Sequence, residues 1–131
     1  MQIVDSAFPT GAFAHSFGLE TYVQEGVVHD GASFAEFLRG SLRRGVGSSD
    51  VIAGCVAHRA AEAGDDALLR EANQLLTAMK APEETRAAGA ALGRRLLATC
   101  EAVFALPSIS DLLERLTFES TGIQHSVAFG A

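Results

Sequence analysis

The chain has no tryptophan, one tyrosine, three prolines and two cysteines among its 131 residues, and each shortage narrows what it can be. The two cysteines, Cys55 and Cys100, lie in segments that read as helical with nothing like a secretory signal ahead of them. That predicts a reduced, cytoplasmic setting. Lysine occurs once, as Lys80, and is followed by Ala81 and Pro82, so no phosphate-cradling P-loop is present. Gly45 and Gly47 have neither a third glycine nor a preceding strand, which leaves a helix-ending turn in place of a dinucleotide fingerprint. Basic charge is also scarce: ten Lys and Arg against sixteen Asp and Glu leave a net charge of −6. A general nucleic-acid binder needs the opposite balance. No apolar run approaches the roughly 20 residues that span a bilayer, because Arg, Glu, Asp or Gly interrupts every candidate. No segment sustains the period-two alternation of a half-buried strand.

What remains is helical grammar. Ser33 with Glu36 reads as a capping box, and Phe34, Phe37, Leu38 and Leu42 then recur at helical spacing opposite Arg39, Arg43 and Arg44. Gly45 and Gly47 should end that helix. Ser48 or Ser49 caps the next, which carries Asp50 in its first turn, a stripe of Val51, Ile52, Cys55 and Val56, and a stop at Gly64. Asp65 and Asp66 open a third, with Leu68, Leu69, Ala72, Leu75, Leu76 and Met79 as its buried stripe. Pro82 starts the longest helix, expected to run to Phe104, with Glu83 and Glu84 at the positive end of its dipole. Its small-residue run "AAGAALG" predicts a close neighbour. Ser108 or Ser110 caps a short helix after Pro107, and "HSVAFGA" opens another apolar helix. The expectation is one all-α domain over residues 1–131, an array of five to seven short-to-medium antiparallel helices. Because the chain stops as an apolar element opens, it reads as a portion of a longer protein.

Catalytic chemistry is hard to assemble from these residues. His15 and Ser16 are adjacent, so on regular structure they point in different directions, and a nucleophile with its base would need a third, orienting group. Cys55 and His58 are three apart on one helical face and offer two ligands to a metal, which is fewer than a site needs. The paired arginines Arg43 with Arg44 and Arg94 with Arg95 suit either a solvated face or a partner's carboxylates. The N-terminal third is acidic: Asp5, Glu20, Glu25, Asp30 and Glu36 all precede the first basic residue, Arg39.

One stretch is more specific. "FPTGAFAHSFGLETYVQEGVV", from Phe8, resembles the N-terminal motif of the urease accessory protein F family, in which a Pro-x-Gly-x-Phe turn leads into Ser-x-Gly-Leu-Glu. Pro9, Gly11, Phe13, Ser16, Gly18, Leu19 and Glu20 stand at the matching positions, while Ala12 departs from the Gly-Gly that many members carry. "ASFAEFLRG", "EETRAAGAALGRRLL" and "HSVAFGA" are similar to later parts of the family, in order. The resemblance implies an all-helical protein without catalytic activity or cofactor of its own, acting in nickel-dependent urease maturation. Its implied partners are the D/H accessory protein, the accessory GTPase G, urease apoprotein and a second copy of itself. Family members continue well past residue 131, which fits the expectation of a missing C-terminal part. Phe13, His15, Ser16, Gly18, Glu20 and Tyr22 become the candidate partner-binding residues. The alternative is a carrier that binds nickel directly through Cys55, His58 and other histidines.

Overall fold

The computed structural model describes residues 3, 8, 9, 16, 18–105, 107–116 and 122–131, and among them the chain forms seven helices and no strand. These are α1 (Leu19–Gln24), α2 (Gly31–Arg44), α3 (Asp50–Ala63), α4 (Asp66–Met79), α5 (Glu83–Phe104), α6 (Pro107–Leu116) and α7 (His125–Gly130). The all-α expectation holds.

The caps shift by a few residues from their expected places. Asp30, not Ser33, caps α2: the Ser33 N–H donates to Asp30 Oδ1 at 2.8 Å, and the Ser33 hydroxyl accepts from the Asp30 N–H at 3.0 Å. The Asp30 carboxylate puts a negative charge at the positive end of the helix, three residues ahead of the expected cap. The Ser33 contacts hold the Asp30 carboxyl below the usual carboxylate range. Ser49 occupies the N-cap position of α3 but caps nothing, because its hydroxyl is directed to Gly45 O and Asp50 Oδ2. Gly64 stops α3 in the left-handed region, and Asp65 Oδ1 accepts from the Leu68 N–H to start α4. Pro82 precedes α5 as expected. α6 begins at Pro107, so Ser108 lies inside it, and the Ser110 hydroxyl donates instead to Glu101 Oε1 at 2.7 Å, tying α6 to α5.

The short terminal helix α7 sits at the centre of the packing. It lies against both α3 and α5 and touches α4, while α3 packs on α4 and α5 on α6. Val127 is fully buried within a core built from Ala57, Ala60, Leu69, Leu76, Leu96, Leu97 and Cys100. The small-residue run of α5 permits this: a Cβ on Gly93 would overlap the Ile123 carbonyl oxygen, so the chain entering α7 crosses α5 at backbone distance.

Close approach also explains why two expected stripes are wrong. α3 turns Ala57 and Ala60 inward and leaves Val51, Ile52 and Cys55 exposed, because small side chains let α7 lie closer than a Val/Ile face would. On α4 only Leu69, Ala72 and Leu76 of the expected stripe are buried, joined by Asn73, while Leu68, Leu75 and Met79 face outward.

Candidate docking surfaces

α1 and α2 form a hairpin in which neither helix holds a buried residue, while Val28 in the turn between them is buried. The Tyr22 carbonyl accepts from the Val27 and Val28 N–H groups at 2.9 and 3.0 Å, turning the chain back toward α2. The Tyr22 ring then meets Phe37 with centroids 5.3 Å apart and a 55° tilt, a favourable offset for two π systems. An open groove of about 420 Å³ runs between the helices, lined by Tyr22, Val27, Val28, Phe37, Gly40 and Arg44. Beside it the expected inner face of α2 is open: Phe34, Leu38 and Leu42 are 38%, 42% and 60% exposed. The helical spacing read from the sequence is present, but among the described residues no other helix packs on it closely.

The candidate residues fall unevenly on this hairpin. Phe13 and His15 lie outside the described residues. Ser16 is exposed and serves α1 through its carbonyl, which accepts from the Leu19 N–H at 3.1 Å. Gly18 takes the N-cap position at φ 91°, a left-handed conformation that glycine adopts without a Cβ penalty. Glu20 is exposed in the first turn of α1, and Tyr22 is nearly half exposed against Phe37. The described members are thus gathered at one end of the hairpin.

A second apolar surface lies between α3 and α4. Ile52, Val56, Leu68, Leu75 and Met79 line a groove of about 200 Å³, with Glu71 at its margin. These are the residues that the inward turn of Ala57, Ala60 and Leu76 leaves outside.

Two polar clusters lock the same helices, and the sequence offered little notice of either. Asn73 is fully buried and grips the strand of chain before α7: its Nδ2–H donates to Gly122 O at 2.7 Å, and its Oδ1 accepts from the Gln124 N–H at 2.8 Å. Gln124 donates in turn to Arg86 O at 3.2 Å, and Arg86 Nη1 donates to Lys80 O and Ala81 O, closing the α4–α5 turn. The arginine of the "EETR" segment is therefore a brace. At the other cluster Lys80 Nζ donates to Asp50 Oδ1 at 2.8 Å and the Ser126 hydroxyl donates to the same oxygen at 3.0 Å, joining α4, α3 and α7. Burial alone would raise the Asp50 carboxyl, but Lys80, Ser49 and Ser126 together hold it below the usual carboxylate range. Burial pushes the neighbouring His125 imidazole down, with Asp50 opposing and Lys80 assisting. An asparagine on an apolar stripe, at i+4 from Leu69, is the one trace of this locking that the sequence carries.

Cys55 is exposed on α3, which corrects the expectation of a cysteine on a buried stripe. His58 Nδ1 lies 3.1 Å from Gly130 O, and its Nε2 lies 3.7 Å from Glu62 Oε1. Among the described residues no three His, Cys, Asp or Glu side chains group closely enough to hold a metal, and no helix is long and apolar enough to cross a membrane. Burial raises the Cys100 thiol above its ordinary pKa. Arg43, Arg44, Arg94 and Arg95 are all exposed.

The fold and these surfaces define an all-α protein with open apolar faces. The UreF family model matches residues 28–131, a range that starts after the opening motif and so supports the resemblance independently of it. The chain is 37% identical over 109 residues to the urease accessory protein UreF of Corynebacterium efficiens, covering 83% of this chain and 46% of that protein. It is 33% identical over 115 residues to the urease accessory protein UreF of Bacillus sp. (strain TB-90), covering 88% and 51% respectively. The chain belongs to the UreF family. It spans about half the length of the curated relatives it matches.

Proposed function

We propose that this chain is a non-enzymatic assembly chaperone for urease. With the D/H accessory protein and the GTPase G it promotes nickel insertion into urease apoprotein, and it works as a homodimer in the cytoplasm without nucleic-acid or membrane partners. The observation that carries the reading is the family match over residues 28–131. The open apolar faces of α2 and of the α3–α4 pair support it, since exposed apolar surface of this kind marks interaction sites. The surface around Phe13, His15, Ser16, Gly18, Glu20 and Tyr22 is the proposed partner-binding region.

Co-purification tests the role: a full-length version should associate with the D/H protein and with the GTPase, and failure to associate with both refutes it. Glu20→Ala tests the region. If that variant folds normally and still supports urease activation at full length, the stretch serves architecture alone. The exposure of both Cys55 and His58 keeps the direct nickel carrier as a second reading. Calorimetry on metal-free protein separates the two. Stoichiometric nickel binding that disappears in a Cys55→Ala, His58→Ala variant favours the carrier, and an absence of binding heat removes it.

A further inference from the structure

A helix of 14 residues is marginal in water unless one of its faces is packed, yet α2 contributes no buried residue. Its apolar residues Phe34, Leu38 and Leu42 form a straight ridge at i, i+4 and i+8. Arg39 and Arg43 repeat the same spacing one position later, about 100° further round the helix. Phe37 lies equally far round on the opposite side, where Tyr22 of α1 covers it. The ridge is therefore walled by α1 along one edge and lined by exposed guanidinium groups along the other. Glu36 is the only acidic residue in α2, against three arginines, in a chain whose net charge is −6.

We infer that the Phe34–Leu38–Leu42 ridge of α2 docks an amphipathic helix of a partner protein whose apolar stripe is bordered by carboxylates. The ridge supplies a dry contact for the stripe, and the Arg39 and Arg43 forks meet carboxylates spaced one helical turn apart. A second copy presenting the same face antiparallel is disfavoured, because that two-fold contact would set Arg39 and Arg43 of each copy beside those of the other. The inference deepens the accessory role by naming the chemistry of a partner, and it rests on that role only for the existence of one.

Two 18-residue helical peptides test it. Both carry leucine at i, i+3, i+4 and i+7 spacing, one with glutamate on each side of the stripe and the other with lysine. Fluorescence anisotropy with the 131-residue chain should show the glutamate peptide binding at least tenfold more tightly than the lysine peptide, with affinity falling as salt is raised. Arg39→Glu with Arg43→Glu should reverse that preference, and Leu38→Ser should weaken both peptides, with circular dichroism confirming that each variant is folded. Equal binding of the two peptides, binding unaffected by Leu38→Ser, or no binding at all overturns the inference. So does sedimentation showing a dimer that Leu38→Ser dissociates, which would give the ridge to a second copy. Co-purification with the D/H protein and the GTPase does not depend on these peptides, so failure here is distinguishable from failure of the accessory role.

Discussion

Replacing Asn73 by alanine tests how α7 is held in the core. The Asn73 carboxamide does for the chain ahead of α7 what a neighbouring strand would do, taking one N–H and satisfying one carbonyl. Alanine removes both partners at once. It leaves the Gln124 N–H and the Gly122 carbonyl without them, in a site where Gln124 is fully buried. Each orphaned group costs about 1–3 kcal/mol, so the loss should be about 2–6 kcal/mol. A domain of this size has only about 5–15 kcal/mol in total. In urea unfolding followed by circular dichroism, the midpoint should fall while the slope stays nearly constant. Hydrogen exchange should accelerate first at the Gln124 amide and the α7 amides, because the contact removed is local to them. A loss under about 1 kcal/mol with Gln124 still protected would refute the reasoning and mean that a water replaces the carboxamide. Asn73→Asp sharpens the test. It keeps an acceptor for the Gln124 N–H but sets a buried carboxylate against the Gly122 carbonyl, so at neutral pH it should be at least as damaging as alanine. Burial raises the pKa of such a carboxyl, and once protonated it donates again, so the deficit relative to the parent protein should shrink as pH falls.

Further predictions concern packing and charge. Gly93→Ala should destabilise by about 2 kcal/mol or more, since its Cβ meets the Ile123 backbone oxygen, which cannot swing aside. Gly40→Ala, whose Cβ meets only the Arg44 guanidinium at 3.6 Å, should stabilise by about 0.5–1 kcal/mol, and thermal melts of the pair give opposite signs. Lys80→Met should cost about 1–2 kcal/mol in chemical unfolding, because it strips the part-buried Asp50 of its cation while the Ser49 and Ser126 contacts remain. His125 is held below its ordinary value of 6.5, so the unfolded chain takes up its proton first. Stability from this group is present above that value and is lost as pH falls from about 6.5 toward the depressed folded value, and the slope should flatten in His125→Gln. Asp50, also depressed, acts lower: its contribution is present above its ordinary value of 3.8 and is lost as pH falls below it.

Helices and their ends were readable from the sequence because they depend on local chemistry. Pro82, the acidic first turn of α5 and the left-handed stop at Gly64 are decided within a few residues. Which face turns inward was less readable. In α3 and α4 the larger apolar residues satisfy a helical period as well as the buried ones do, and the choice fell to the distance at which α7 packs. The Asn73 and Asp50 clusters join positions 30 to 76 residues apart, a relation that spacing along the chain does not encode. The candidate partner-binding residues rest on the sequence. Gly18, Glu20 and Tyr22 belong to a readable motif, but the openness of the α2 face follows from what fails to pack on it.

Small residues close the contacts around α7, and several large apolar residues stand outside a core that also holds Leu69, Leu76, Leu96 and Leu97. Ala57, Ala60, Gly93 and Ala128 seal the contacts around α7, while Leu42, Leu75 and Met79 are more than half exposed. An arrangement set only by the needs of the isolated chain would bury the larger residues, since each is worth about 1.5–3 kcal/mol when removed from water. The exposed faces are therefore separable from stability. Leu42→Ala and Leu75→Ala should each change unfolding free energy by no more than about 0.5 kcal/mol, as at ordinary surface positions, while weakening association with whatever covers those faces. The control is Leu76→Ala, one residue from Leu75 but almost fully buried, where about 2–5 kcal/mol should be lost. If Leu42→Ala or Leu75→Ala destabilises the chain as much as Leu76→Ala does, that face is already packed in solution and is not open for docking.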